Sequence, residues 1–266
     1  MKLPSLLATG VLALLPALAP LPARAHFQLL FSPETMIEHP GDVAVGLIFW
    51  HPFENGQAMN MAKPEQFFAI NRGKRIDLEA TLTPRRFRGA ENAADAWQGS
   101  VPVKRAGDYV LVTVPAPYYE ETEEIYIQQI AKSFLNRGAF PTDWNKPVGL
   151  PAEIVPLDKP YNIPAGATFT GRVLSAGKPV AGAEIEVEYL AAAPDLKAFA
   201  TTEPTTAPLP GGALVVTSDE NGYFTFGVPR AGFWGFAALG VGPQRRFKGK
   251  ELSQDAVIWI RAWDMK

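Results

Sequence analysis

Apolar residues in this chain come in short runs, and nearly every run is bounded by Gly, Pro, Asn or Asp. HFQLLF at 26–31, VAVGLIFW at 43–50, QFFAI at 66–70, AWQGSVPV at 96–103 and DYVLVTVP at 108–115 have strand length. They carry the β-branched and aromatic side chains that suit a pleated surface. Pro40-Gly41-Asp42 and Arg105-Ala106-Gly107-Asp108 read as the turns before two of them. With 23 glycines and 25 prolines in 266 residues, a chain so patterned is expected to be mainly β. Residues 124–135, EIYIQQIAKSFL, fit two templates. Ile127, Ile130 and Phe134 would share a helical face, whereas Ile125 and Ile127 would share one face of a strand.

The pattern is interrupted at 155–166, VPLDKPYNIPAG, where three prolines and a glycine break any regular element. It then restarts with TFTGRVLS (168–175) and the alternating EIEVEYL (184–190). Residues 191–212, rich in Ala, Thr and Pro, read as a long exposed loop. Residues 213–239 give two or three strands around Asn221-Gly222, and AVIWIRAW (256–263) closes the chain. The expectation is two β-rich domains, 26–160 and 165–266. The second would be a small sandwich with Tyr223, Phe224, Phe226, Trp234 and Trp259 for its core.

The first residues point to export. Lys2 precedes an uncharged stretch from Leu3 to Leu21, and Ala23-Arg24-Ala25 is a small-x-small cleavage site. Pro16, Pro20 and Pro22 disfavour a retained anchor helix. A leader over 1–25, a mature start at His26 and a periplasmic location without direct membrane insertion are therefore expected. With no cysteine, neither a disulfide nor a thioether-linked lipid can form. Of 25 basic and 27 acidic side chains, Lys2 and Arg24 fall in the leader. The remainder is net acidic and gives no footprint for nucleic acid.

No Gly-x-Ser-x-Gly, phosphate loop, cysteine nucleophile or His-Glu-x-x-His is present, so hydrolase and transferase chemistry has no visible machinery. Three histidines remain to be weighed. As a first residue, His26 would carry a free amine and an imidazole, which together close a chelate ring on a metal. His51 ends an apolar strand and opens a loop, a common position for a ligand. Met59 and Met61 follow in AMNMAKP; they are either soft thioether ligands or ordinary core filling. Glu120, in the acidic run 120–124, either faces solvent or supplies an oxygen. His39, in Ile-Glu-His-Pro-Gly, reads as a surface turn residue.

Taken together, AHFQLLFS, FWHPFENGQAMNMAKPEQFF, APYYEETEEIYIQQIAKSFLNRG and WNKPVGLPAEIVPLDKPYNI, followed by GKPVAGAEIEVEYL and SDENGYFTFGVPRAGFWG, resemble the DUF4198 family. These are exported proteins associated with nickel and cobalt transporters. The resemblance spans nearly the whole chain after the leader; its last two segments are shared broadly with transthyretin-like and Cna-B-like sandwiches. It implies an amino-terminal β-rich domain, an Ig-like or transthyretin-like carboxy-terminal sandwich, and a divalent metal held for handover to a membrane transporter. It carries onto His26, His51, Met59 and Met61 as ligands, with nickel or cobalt ahead of copper or zinc. Some relatives have a further histidine in the segment where this chain has Gln128 and Gln129, which implies a smaller ligand set or a weaker site. Two other functions fit the same residues. One is a copper oxygenase with an amino-terminal histidine brace, and the other is a metal-free surface or adhesion module.

Overall fold

A computed structural model describes residues 26–210 and 213–265; the leader read at 1–25 lies outside them. The architecture is almost wholly β, with one 3-10 turn at Glu79–Thr81 and no α-helix among the described residues. No helix there is long and apolar enough to cross a membrane.

Three sheets are stacked. The first orders Phe27–Phe31, Gly41–Trp50, Ala93–Val103 and Thr83–Arg88. The large middle sheet runs Leu214–Thr217, Glu184–Tyr189, Gly232–Ala238, Lys250–Trp263, Ile125–Arg137, Gly107–Val114, Gln66–Asn71 and Lys74–Asp77. The third sheet holds Ala152–Pro156, Thr168–Ser175, Lys178–Pro179 and Tyr223–Gly227.

Alternate residues of the middle sheet serve two cores, as a period of two requires. Tyr109, Leu111, Ala131, Leu135, Val257 and Trp259 pack toward the first sheet. Val110, Val112, Ile130, Phe134, Ile258 and Ile260 pack toward the third. This explains why the sequence of Ile125–Arg137 fitted a helical and a strand template alike. It is a strand buried on both faces over most of its length, and such strands lose their polar alternation.

Pairing crosses the expected boundary at 160–165. Ile125–Arg137 lies parallel to Lys250–Trp263, from Tyr126 opposite Leu252 to Lys132 opposite Ile258. Ala152–Pro156, on the near side, pairs with Thr168–Ser175 on the far side. The two halves therefore share one sheet.

Two expectations need correction. The 191–212 segment is not simply exposed, because Ala192, Leu196 and Phe199 are buried in the first core. Phe199 meets Phe87 edge-on at 6.1 Å, and its carbonyl accepts from the Arg88 amide at 3.1 Å. Gly46 makes room for this, since a Cβ there would fall 2.8 Å from Leu196 Cδ2. Trp259, expected in the carboxy-terminal sandwich core, faces the other way, edge-on to Phe27 at 5.8 Å. Phe224, Trp234 and Phe236 fill the second core, while Phe226 is only partly buried and Tyr223 lies at the sheet surface.

Candidate metal centre

The first strand pairs antiparallel with Gly41–Trp50, placing Phe27 opposite Trp50. His26 stands one residue before the one, and His51 one residue after the other. Continuing the register brings both imidazoles to the same rim, with ring centroids 4.6 Å apart. The Nε2 atom of His26 lies 3.1 Å from Glu120 Oε2, and Phe49 and Tyr118 flank the ring at 5.6 and 6.4 Å.

Both histidines are held through their surroundings. Gln129 donates to the His26 carbonyl at 2.7 Å and accepts from the Gln28 amide at 2.7 Å. Trp259 donates to the Gln28 carbonyl at 2.9 Å. His51 is 5% exposed, and its Nδ1 lies 2.9 Å from the Gln57 carbonyl. A carbonyl only accepts, so Nδ1 carries a proton; in the neutral ring this leaves the lone pair on Nε2, the tautomer a metal requires. The turn is closed by the Gly56 amide donating to the His51 carbonyl at 3.1 Å and by Trp50 Nε1 donating to Gly56 O at 2.8 Å.

Glu120 is set by Thr122, whose amide and hydroxyl donate to Oε1 at 3.1 and 2.7 Å. Burial pushes its carboxyl up, but the Thr122 hydrogen bonds and nearby His26 outweigh this and hold it below the usual range. Met59 pairs with Phe49 and packs with Phe49 and Ile127. Met61 packs into the first core. His39 is exposed, in the connection before Gly41–Trp50. Gln129, which the sequence offered only as a missing histidine, proves to be the main-chain clamp at the rim.

Among the described residues no three His, Asp or Glu side chains stand as a ready-formed metal site. A centre at His26 and His51 needs a further donor; the Glu120 carboxylate stands 3.1 Å from His26 Nε2, and a chain beginning at His26 would add its α-amino group. The pair, its preset tautomer and the adjoining carboxylate fit a borderline divalent metal by donor type.

The sequence model of the DUF4198 family, described as a domain of unknown function, matches residues 23–242. The chain is a DUF4198 protein. The match covers both histidines, Glu120 and most of the middle sheet, so the rim belongs to the DUF4198 region. No curated protein matches. Among solved structures, the D0–D1 domain of intimin is 14% identical, covering 86% of this DUF4198 chain and 96% of that one, with a TM-score of 0.21. Fibronectin(III)-like modules of Clostridium thermocellum CbhA are 8% identical over 89% and 95%, with a TM-score of 0.21. Trypsin-activated alpha-2-macroglobulin from Escherichia coli is 9% identical over 91% of this chain and 16% of its own, at 0.22. Overlaps that loose define neither a shared fold nor a shared activity.

Proposed function

We propose that this DUF4198 protein is an exported metal-binding protein that holds one divalent transition metal at the His26–His51 rim for handover to a membrane transporter. The observation that carries the reading is the 4.6 Å approach of the two imidazoles at the ends of paired strands, with the Glu120 carboxylate beside them. The charge pattern of the first 25 residues supports export. Neutral nitrogen donors favour nickel, cobalt, copper or zinc over calcium or magnesium, and the family resemblance favours nickel or cobalt.

Chelation by the His26 amine closes through Nδ1 of the same residue. That leaves Nε2–H directed at Glu120, so Glu120 orients the imidazole as an outer partner and need not itself bind. Met59 packs against Phe49, which flanks His26, and Met61 lies in the first core, so neither is counted as a ligand.

Equilibrium dialysis against nickel, cobalt, copper and zinc tests the reading. Protein starting at His26 should bind one metal. Adding one residue before His26, or His51→Ala, should each weaken binding about tenfold or more, whereas His39→Ala should change nothing. Unchanged affinity in both the extended and His51→Ala forms rules the centre out. The same three nitrogens make a copper brace. Copper-selective binding with peroxide-dependent cleavage of a polysaccharide would turn the reading to an oxygenase.

A further inference from the structure

Beside His26, which forms part of its lining, the described residues shape a half-open cavity of about 230 Å³. Glu123 stands at its exposed mouth, Glu186 and Asp255 line its interior, and Gln129 and Ser253 complete its polar wall. No lysine or arginine lines it among the described residues.

Glu186 is the informative group. Its neighbours Ile185 and Val187 pack into the second core, so strand alternation turns Glu186 to the opposite face and into the cavity. It is only 7% exposed, and among the described residues no hydrogen bond or basic group reaches its carboxylate. Burial, with Asp255, Glu184 and Glu123 beside it, raises its pKa to about 7. Asp255 is better satisfied, accepting from the Gly240 amide at 2.7 Å, Ser253 Oγ at 2.5 Å and Gln129 Nε2 at 3.2 Å. A buried carboxylate without a counter-charge is costly unless a cation or a proton joins it.

The donors are not gathered for direct ligation of a bare ion. The volume, however, accommodates roughly seven waters at about 30 Å³ each, which is the scale of a divalent ion with its first hydration shell. We propose that this cavity is a second cation site, in which Glu186, Glu123 and Asp255 hold a hydrated divalent cation through its water ligands. His26 also lines this cavity, so the site adjoins the His26–His51 centre but is built on different donors.

Hexaamminecobalt(III) is the discriminating probe. It imitates a hexahydrated ion but does not exchange its ammines for imidazole, so it reads the cavity and not the histidine centre. Calorimetric titration of the purified protein at low ionic strength should show saturable binding of one complex per chain, displaced by Mg²⁺. Glu186→Gln should weaken it about tenfold or more, the scale of a hydrogen bond to a charged group. Glu123→Gln, at the exposed mouth where packing is not at stake, should weaken it too. His51→Ala and Glu220→Gln, the latter in an exposed turn, should leave it unchanged. Absence of saturable binding overturns the site, as does equal affinity in wild type, Glu186→Gln and Glu123→Gln.

Discussion

Glu188 accepts a hydrogen bond from the Phe53 amide at 2.8 Å, so a carboxylate from the second half of the chain anchors the loop that follows His51. Burial raises the Glu188 pKa well above the usual range, and a neutral acid still accepts through its carbonyl oxygen. Glu188→Gln should therefore keep the anchor and the stability. Glu188→Leu strands a buried N–H and should cost about 1–3 kcal/mol in urea unfolding. It should also loosen the His51 loop, read as faster amide exchange at residues 52–57.

Gln129 makes the corresponding hold on His26. Replacing it with Leu leaves the His26 carbonyl and the Gln28 amide without their side-chain partner. A loss of roughly 2–6 kcal/mol is expected, summing two such groups, with weaker metal uptake in the same variant. Wild-type stability in Gln129→Leu would show that the clamp is dispensable.

Glu186 makes stability depend on pH in a direction opposite to a salt-bridged acid. Its folded pKa of about 7 exceeds the ordinary 4.5, so the folded state binds the proton more tightly. Its contribution is fully present below pH 4.5 and is lost as pH rises through about 7. The span is on the order of 3 kcal/mol. Glu186→Gln should match wild type in Tm near pH 4.5 and exceed it near pH 7.5, in buffers without multivalent cations.

Between the middle and third sheets, Lys132 Nζ lies 2.8 Å from Glu153 Oε1, both buried. Glu153 also accepts from the amides of Val148, Gly149 and Leu150 at 2.7, 3.0 and 3.2 Å. Burial pulls Lys132 down, while Lys132 and those amides hold Glu153 low against its own burial. Lys132→Met leaves an uncompensated charge and should cost about 3–5 kcal/mol. Adding Glu153→Gln should recover part of that, measured as the urea midpoint at constant slope.

Much of this architecture could be read from residue pattern because local signals agreed with the fold. The runs at 26–31, 43–50, 66–70 and 168–175 became strands within a few residues, since each has turn residues at its ends. What escaped reading was decided by layers. EIEVEY alternates as if one face met water, yet Glu186 and Glu188 are buried, Glu188 against the loop that follows His51 and Glu186 in the cavity it shares with Gln129 and Asp255. Trp259 and Ile258 are neighbours in sequence but enter different cores. Leu196 and Phe199 were hidden among Ala, Thr and Pro, where composition outweighed two anchoring side chains. At the rim, His26 and His51 were legible as strand-end histidines. Gln129 was not, because a glutamine that grips main chain has no spacing signature.

The last strand of the chain contributes Trp259 to the first, across a sequence separation of 231 residues, and lies beside Ile125–Arg137 in parallel. Under the export proposed above, amino terminus first, this would fix an order of events. On that proposal the leader would be cut and His26 released while most of the polypeptide is still inside. The rim around that residue then stays unfinished until residues 250–263 emerge and slot into the middle of the sheet. On the same proposal, closure of the sheet would act as a completeness check, because a chain stalled or truncated before residues 250–263 would lack the Trp259 hydrogen bond that holds Gln28 beside His26.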